Sequence, residues 1–295
     1  MAAGELTRRV AVAIVGIPTI FLLLYFGGWI LGVAVAALAA LGAREVYDLA
    51  EAKDVRPFRW LGIAGAASLV LTAVALPGFS LLAPWAFGGV SLLAAVSLLL
   101  AMPARGSDHG PLGSVSVTVF GVLYVAVPLA FAVLLRALPG RYGWGGPEAA
   151  AWVGALVVVL PLAATWIGDS AAYFLGTAFG KAKIAPSISP NKSWVGAVAG
   201  LTGSSLAAAV WLLAARPWLP EMPVLGVGAA AAMGAIMGAG GQAGDFAESL
   251  LKREAGVKDS GTIFPGHGGV LDRLDALVFA FPAAYALLVT VEVFS

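Results

Sequence analysis

Residues 224–294 read VLGVGAAAAMGAIMGAG (224–240), then GQAGDFAESLLKREAGVKDSGTIFPGHGGVLDRLD (241–275), then ALVFAFPAAYALLVTVEVF (276–294). A membrane span needs about 20 predominantly apolar residues, and the two outer runs have that character. The core of the middle run, Gly244–Asp275, carries six of the chain's 16 carboxylates, four of its 17 Lys/Arg and one of its two histidines. Ionisable groups at or beside bilayer depth are costly, so such a concentration marks a functional site rather than an ordinary solvated loop. Asp245 and Glu248 are spaced i,i+3, as are Asp272 and Asp275, and each pair shares a face if helical. Gly256, Gly261, Pro265, Gly266, Gly268 and Gly269 lie between them and let the backbone approach a ligand closely. Paired carboxylates, Lys/Arg and a glycine-rich turn suit a divalent cation carrying a polyphosphate.

Working outward, the whole chain has the composition of the outer runs. It is 60% hydrophobic and 11% charged, with a mean hydropathy of +0.94. A soluble domain carries roughly 25% charged residues, so the reading is a polytopic, all-α integral membrane protein. A net charge of +1 without a basic, aromatic-interleaved patch gives no support to nucleic-acid binding. The absence of cysteine removes disulfides, thiolate metal sites and thiol nucleophiles. The first apolar run lacks a small-residue cleavage pattern and reads as a retained span.

Nine spans are expected: 10–26, 29–43, 60–76, 81–102, 115–138, 148–167, 194–215, 224–240 and 276–294. The second and eighth are short and rich in Ala and Gly, which favours close helix contacts. Only Gly27 and Gly28 separate the first two, predicting a tight helical hairpin. With the N-terminus inside, fourteen of the 17 Lys/Arg fall on the inner face and only Arg136, Arg141 and Arg216 on the other. That asymmetry predicts charged segments on the cytoplasmic side and an outside C-terminus. The tryptophans near span ends read as interfacial anchors, and His109 as a solvated loop residue. No soluble segment longer than about 35 residues remains, so residues 1–295 read as one membrane domain. Its N-terminal spans cover 1–140 and its catalytic half 148–295.

A second charged segment, WIGDSAAYFLGTAFGKAKIAPSISPNKSWVG (166–196), closes one span and opens the next. Lys181, Lys183 and Lys192 stand among Ser189, Asn191 and Ser193 on a loop stiffened by Pro186 and Pro190. Ammonium groups amid hydroxyl and amide donors form an anion cradle. The spacing is not that of a Walker loop. Topology puts this segment on the same face as 244–275, so one supplies cations and the other carboxylates.

The run Ser249-Leu-Leu-Lys252-Arg253, Lys258-Asp259-Ser260, Pro265-Gly-His267-Gly268-Gly269 and Asp272-Arg273-Leu-Asp275 resembles the signature of phosphatidate cytidylyltransferases (CDP-diacylglycerol synthases). GDSAAYFLG followed by GK and SPNKSW is similar to the family's second conserved stretch. Val195 stands where that family usually has Glu. The resemblance implies transfer of a cytidylyl group from CTP to phosphatidate, giving CDP-diacylglycerol and pyrophosphate. It also implies Mg²⁺, with room for a second, monovalent cation, at the cytoplasmic face of a bacterial inner membrane. Asp245 and Asp272, followed by Asp275 and Asp169, are the candidate metal ligands, with the first two expected on one ion. Lys252, Arg253, Lys258, Asp259, His267 and Arg273 complete the candidate catalytic set. Lys181, Lys183, Ser189, Asn191, Lys192 and Ser193 are candidates for binding substrate phosphates. Expected partners are CTP, phosphatidate and membrane lipid, without nucleic acid, and a homodimer is one assembly this reading admits. Two other readings are weighed. A CTP-dependent polyprenol or phytol kinase would need a base for a neutral hydroxyl. An ion-coupled transporter would place its carboxylates mid-span, in repeated halves.

Overall fold

The computed structural model describes residues 3–107, 109–146, 152–264 and 268–294, with side chains from residue 14 onward. Among the described residues, most of each of the nine expected apolar runs is helical. In chain order the helices are α1 (Ala3–Phe26), α2 (Gly28–Glu51), α3 (Arg59–Ala75), α4 (Phe79–Arg105), α5 (Pro111–Gly121), α6 (Val127–Tyr142), α7 (Val153–Phe179), α8 (Trp194–Ala215), α9 (Val227–Glu254), α10 (Leu271–Leu274) and α11 (Leu277–Phe294). Among the described residues six helical stretches are long and apolar enough to cross a membrane. They are Gly28–Glu51, Phe79–Arg105, Pro111–Tyr142, Val153–Phe179, Trp194–Trp218 and Leu271–Phe294. Ile14–Phe26 and Arg59–Ala75 are apolar but shorter.

The chain is nearly all-α. Among the described residues the β structure is an antiparallel hairpin of β1 (Lys183–Ala185) and β2 (Ser189–Ser193), pairing Lys183 with Ser193 and Ala185 with Ser189, and an isolated bridge between Phe264 and Gly268. The hairpin occupies the segment expected to be a proline-stiffened loop. Two further boundaries differ from expectation. α7 runs to Phe179 instead of ending near Ile167, because AAYFLGTAF offers further lipid-compatible residues; Tyr173, Phe174 and Phe179 are all exposed. Glu148, the expected start of that span, lies outside the described residues. α9 continues from its apolar half through QAGDFAESLLKRE to Glu254. Nothing in that run breaks a helix before Gly256, whose φ is +76°.

Contacts divide the chain into two units, Met1–Leu134 with Leu251–Leu274, and Leu135–Leu250 with Asp275–Ser295. In the first, α2 and α3 pack so closely that a Cβ on Gly62 would strike the Tyr47 ring. Tyr47 is fully buried, and its hydroxyl donates to the Thr118 carbonyl at 2.8 Å. An ordinary helix would offer that carbonyl to residue 122, and a π turn, Val122–Ala126, begins there. A side chain inserted into the ladder is a recognised origin of such turns. Gly27 and Gly28 join α1 to α2 with φ values of 60° and 48°, which glycine adopts at little cost.

In the second unit α7 packs along α8, and α11 along α7. Small residues make this possible. A Cβ on Gly176 would come within 3.2 Å of the Gly196 Cα, and Gly234 and Gly238 of α9 lie against Ser204 of α8. The eighth run, rich in Ala and Gly, therefore acts as expected, letting α9 approach α8 closely.

Candidate active site

The first unit builds the signature turn around two carboxylates. α9 ends in a Schellman arrangement: Val257 N–H donates to the Lys252 carbonyl at 2.9 Å, and Gly256 N–H to that of Arg253 at 3.1 Å. This leaves Lys252 pointing inward, and its ammonium donates to Asp272 Oδ1 at 2.6 Å. Their side chains are only 11% and 6% exposed, so the pair is largely out of water. Asp272 Oδ2 accepts three more hydrogen bonds, from Ser260 N–H at 2.8 Å, the Ser260 hydroxyl at 2.9 Å and Gly269 N–H at 2.8 Å. Asp272 therefore takes an ammonium, two backbone N–H groups and a share in the Ser260 hydroxyl proton, all from within the protein.

The second carboxylate, Glu45 on α2, did not figure among the expected site residues. It is 3% exposed. Oε1 accepts from Val270 N–H at 2.8 Å; Oε2 accepts from Leu271 N–H at 2.9 Å and from the Ser260 hydroxyl at 2.8 Å. Ser260 has one hydroxyl proton, so it bridges Glu45 and Asp272 rather than satisfying both. Three glycines of the turn are explained by these two acids. A Cβ on Gly261 or Gly269 would strike the Glu45 carboxylate, and one on Gly268, at φ +80°, the Asp272 carboxylate. A signal for Glu45 does exist in the sequence. Arg44, Asp48 and Glu51 follow i, i+4, i+7 on one exposed face of α2, linked to one another or to Arg59 by ion pairs. Glu45 falls off that face.

The second unit holds the other candidates. Lys192, on β2, places its ammonium 2.7 Å from Asp245 Oδ2 of α9 and 3.9 Å from the centre of the Phe246 ring. Asp169, exposed on α7, stands where the charges of both Asp245 and Lys192 are felt. Ser193 is buried and caps α8, its hydroxyl accepting from Gly196 N–H at 3.2 Å. Gly180 leaves room for that hydroxyl, since a Cβ there would strike it. The Lys183 ammonium donates to the Asn191 carbonyl at 3.2 Å across the hairpin. Lys181, Lys183 and Asn191 are exposed, and Ser189 is half-buried. The backbone carbonyl of Asp275 lies against Gly244, one residue before Asp245. Asp275 Oδ1 accepts from Ala276 N–H.

Two carboxylates and one ammonium leave this half-exposed cluster with a net negative charge made of hard oxygen donors. That is the chemistry of a divalent-cation site. Among the described residues no three acidic or histidine side chains gather closely enough to hold an ion alone. Mg²⁺ is ordinarily bound by one or two carboxylates together with substrate phosphates, so the donor set fits a metal that arrives with a nucleotide.

A model described as the cytidylyltransferase family matches residues 7–291. The chain belongs to that family. It is 32% identical over 298 residues to a phosphatidate cytidylyltransferase of Synechocystis, covering 96% of each chain. It is equally identical over 280 residues to one of Chlamydia trachomatis, covering 90% of this chain and 85% of that one. A third, of Brucella melitensis, is 32% identical over 284 residues, covering 95% and 91%.

Within this family member, the remaining signature residues take varied places. Arg253 is exposed and donates to the Val257 carbonyl at 2.8 Å. Lys258, Asp259 and Arg273 are exposed on the signature turn and α10. His267 lies outside the described residues. Asp245 and Asp272, expected on a single ion, belong to different units and have separate partners. Val195 is 41% exposed at the start of α8.

Proposed function

We infer that this chain transfers a cytidylyl group from CTP to phosphatidate, releasing pyrophosphate and forming CDP-diacylglycerol for phospholipid synthesis. The family match over residues 7–291 carries this reading. A phosphate oxygen of phosphatidate attacks the α-phosphorus of CTP. The bond between that phosphorus and the bridging oxygen to the β-phosphate breaks, and pyrophosphate leaves with the electron pair. The nucleophile is already anionic, so no strong base is required. The barrier lies in bringing two polyanions together and in stabilising the charge that develops on the leaving group.

The residues divide this work. Asp245 and Asp169 would hold a Mg²⁺ ion, whose charge would offset that of the triphosphate and the departing pyrophosphate. Lys192 sits beside that pair and passes from Asp245 to a phosphate oxygen when the nucleotide binds. Lys181 and Lys183, exposed on and beside the hairpin, take further phosphate oxygens. Asp272 and Lys252 order the signature turn, and Lys258, Arg253 and Arg273 present cations from it and its flanks. Asp272 is already engaged by Lys252, by two backbone amides and by the Ser260 hydroxyl, so its first role is to anchor the turn.

The chain lies in the bacterial cytoplasmic membrane as nine spans, with both charged segments facing the cytoplasm. The distribution of fourteen Lys/Arg against three supports this orientation. A single cysteine at position 258, exposed in a chain that has no other, will be labelled only from the cytoplasmic side; external labelling refutes the topology. The activity is tested by incubating purified protein with CTP, phosphatidate and Mg²⁺. One pyrophosphate is expected for each CDP-lipid formed, and neither product forms if the reading is wrong.

A further inference from the structure

We propose that Glu45, in the N-terminal part of the chain, is a positioning residue for the reaction: its carboxylate clamps the signature turn and thereby fixes Ser260, Asp272 and Lys252. This rests on the proposed cytidylyl transfer. Three observations within the first unit carry it. Glu45 is buried and accepts from two consecutive backbone amides, Val270 and Leu271, at 2.8 and 2.9 Å. It shares the Ser260 hydroxyl with Asp272 at 2.8 and 2.9 Å, so moving one acid moves the other. Gly261 and Gly269 leave the space that its carboxylate fills.

An acid that served only to finish a helix would lie on the exposed face with Arg44, Asp48 and Glu51. Glu45 reaches 215 residues along the chain to Ser260. Burying a carboxylate is unfavourable unless donors surround it, and the donors here all come from the signature turn or the start of α10. Replacing Glu45 by Gln keeps the shape but sets an amide N–H₂ against a backbone N–H. The turn must then shift, and a displacement of about 1 Å at reacting groups costs on the order of 100-fold in rate.

The test compares wild type, Glu45→Gln, Ser260→Ala, the double variant and Glu51→Gln as control, all purified in detergent. Glu45→Gln is expected to lower kcat about 100-fold and Ser260→Ala about tenfold, with the double variant no worse than Glu45→Gln, as for residues acting as one unit. The KM for CTP stays within about threefold and the folded fraction is unchanged, whereas a general loss of structure would lower activity in step with folded protein. Glu51→Gln behaves as wild type. Hydrogen exchange supplies a readout independent of activity: the Val270 and Leu271 amides lose protection in Glu45→Gln while α2 keeps its own. Retained kcat, multiplying defects or unchanged protection at 270–271 would overturn the proposal. If wild type forms no CDP-lipid, the functional reading fails, and the exchange result still decides whether Glu45 clamps the turn.

Discussion

Asp245 and Asp272 stand near the two ends of one 32-residue charged stretch, and both were expected to grip the same metal. Their surroundings differ. The Asp272 side chain is 6% exposed and receives four internal donors, with a largely buried ammonium at 2.6 Å. The Asp245 side chain is 36% exposed, with a half-exposed ammonium at 2.7 Å and a distant Ser249 hydroxyl at 3.4 Å. Similar N–O distances therefore carry different energies. Breaking a buried pair strands a charge and costs about 3–5 kcal/mol, whereas an exposed pair contributes about 0–1 kcal/mol. One carboxylate is enclosed by donors of its own turn, and the other faces water beside its cation.

That contrast can be broken most sharply at Asp245. Asp245→Asn is expected to lower turnover by at least ~10³-fold, about 4 kcal/mol of barrier, while the protein stays folded in detergent. Turnover measured against Mg²⁺ concentration, beside a thermal unfolding curve, checks both halves of the statement. Asp272→Asn reverses the emphasis. It removes the negative charge that faces the Lys252 ammonium inside the turn and should lower stability by about 3 kcal/mol, read as a fall in thermal midpoint. Normal stability in that variant would remove the distinction between the two sites.

Smaller effects sharpen the comparison within the second unit. Lys192→Met is expected to raise the KM for CTP about tenfold, near 1.4 kcal/mol, with stability unchanged because its partner Asp245 remains in contact with water. A stability loss comparable to that of Asp272→Asn would mean that the hairpin lysine is architectural as well. Val195→Glu restores the residue that the family usually carries after the tryptophan. Val195 is 41% exposed, so an added carboxylate stays hydrated, and activity should remain within about tenfold, roughly 1.4 kcal/mol. Steady-state assays with CTP and phosphatidate measure both.

Much of this was legible in the sequence, for physical reasons. Long apolar runs declare helices because a bilayer leaves the backbone no other partners, and among the described residues most of each expected run is helical. Helix ends were harder to place. Residues 168–179 and 241–254 continue the helices beyond their apolar cores, since hydropathy falls there without any residue that breaks helical hydrogen bonding. The hairpin at 183–193 is set by local pairing that polarity alone does not reveal. The charged stretches were found because charge is scarce in such a chain. What one chain position offers another 215 residues away is not written in local pattern, so the sequence shows Glu45 only as the acid that departs from the exposed charges of Arg44, Asp48 and Glu51.

Cytidylyl transfer and phosphorylation differ in which phosphorus of CTP reaches the lipid. The direct measurement incubates the purified protein with phosphatidate and CTP radiolabelled at either the α- or the γ-phosphate, then separates lipid from water-soluble products. Cytidylyl transfer predicts that the α-label appears in the lipid and the γ-label only in pyrophosphate. A γ-label recovered in lipid, with CDP released, would contradict the account and establish a kinase instead.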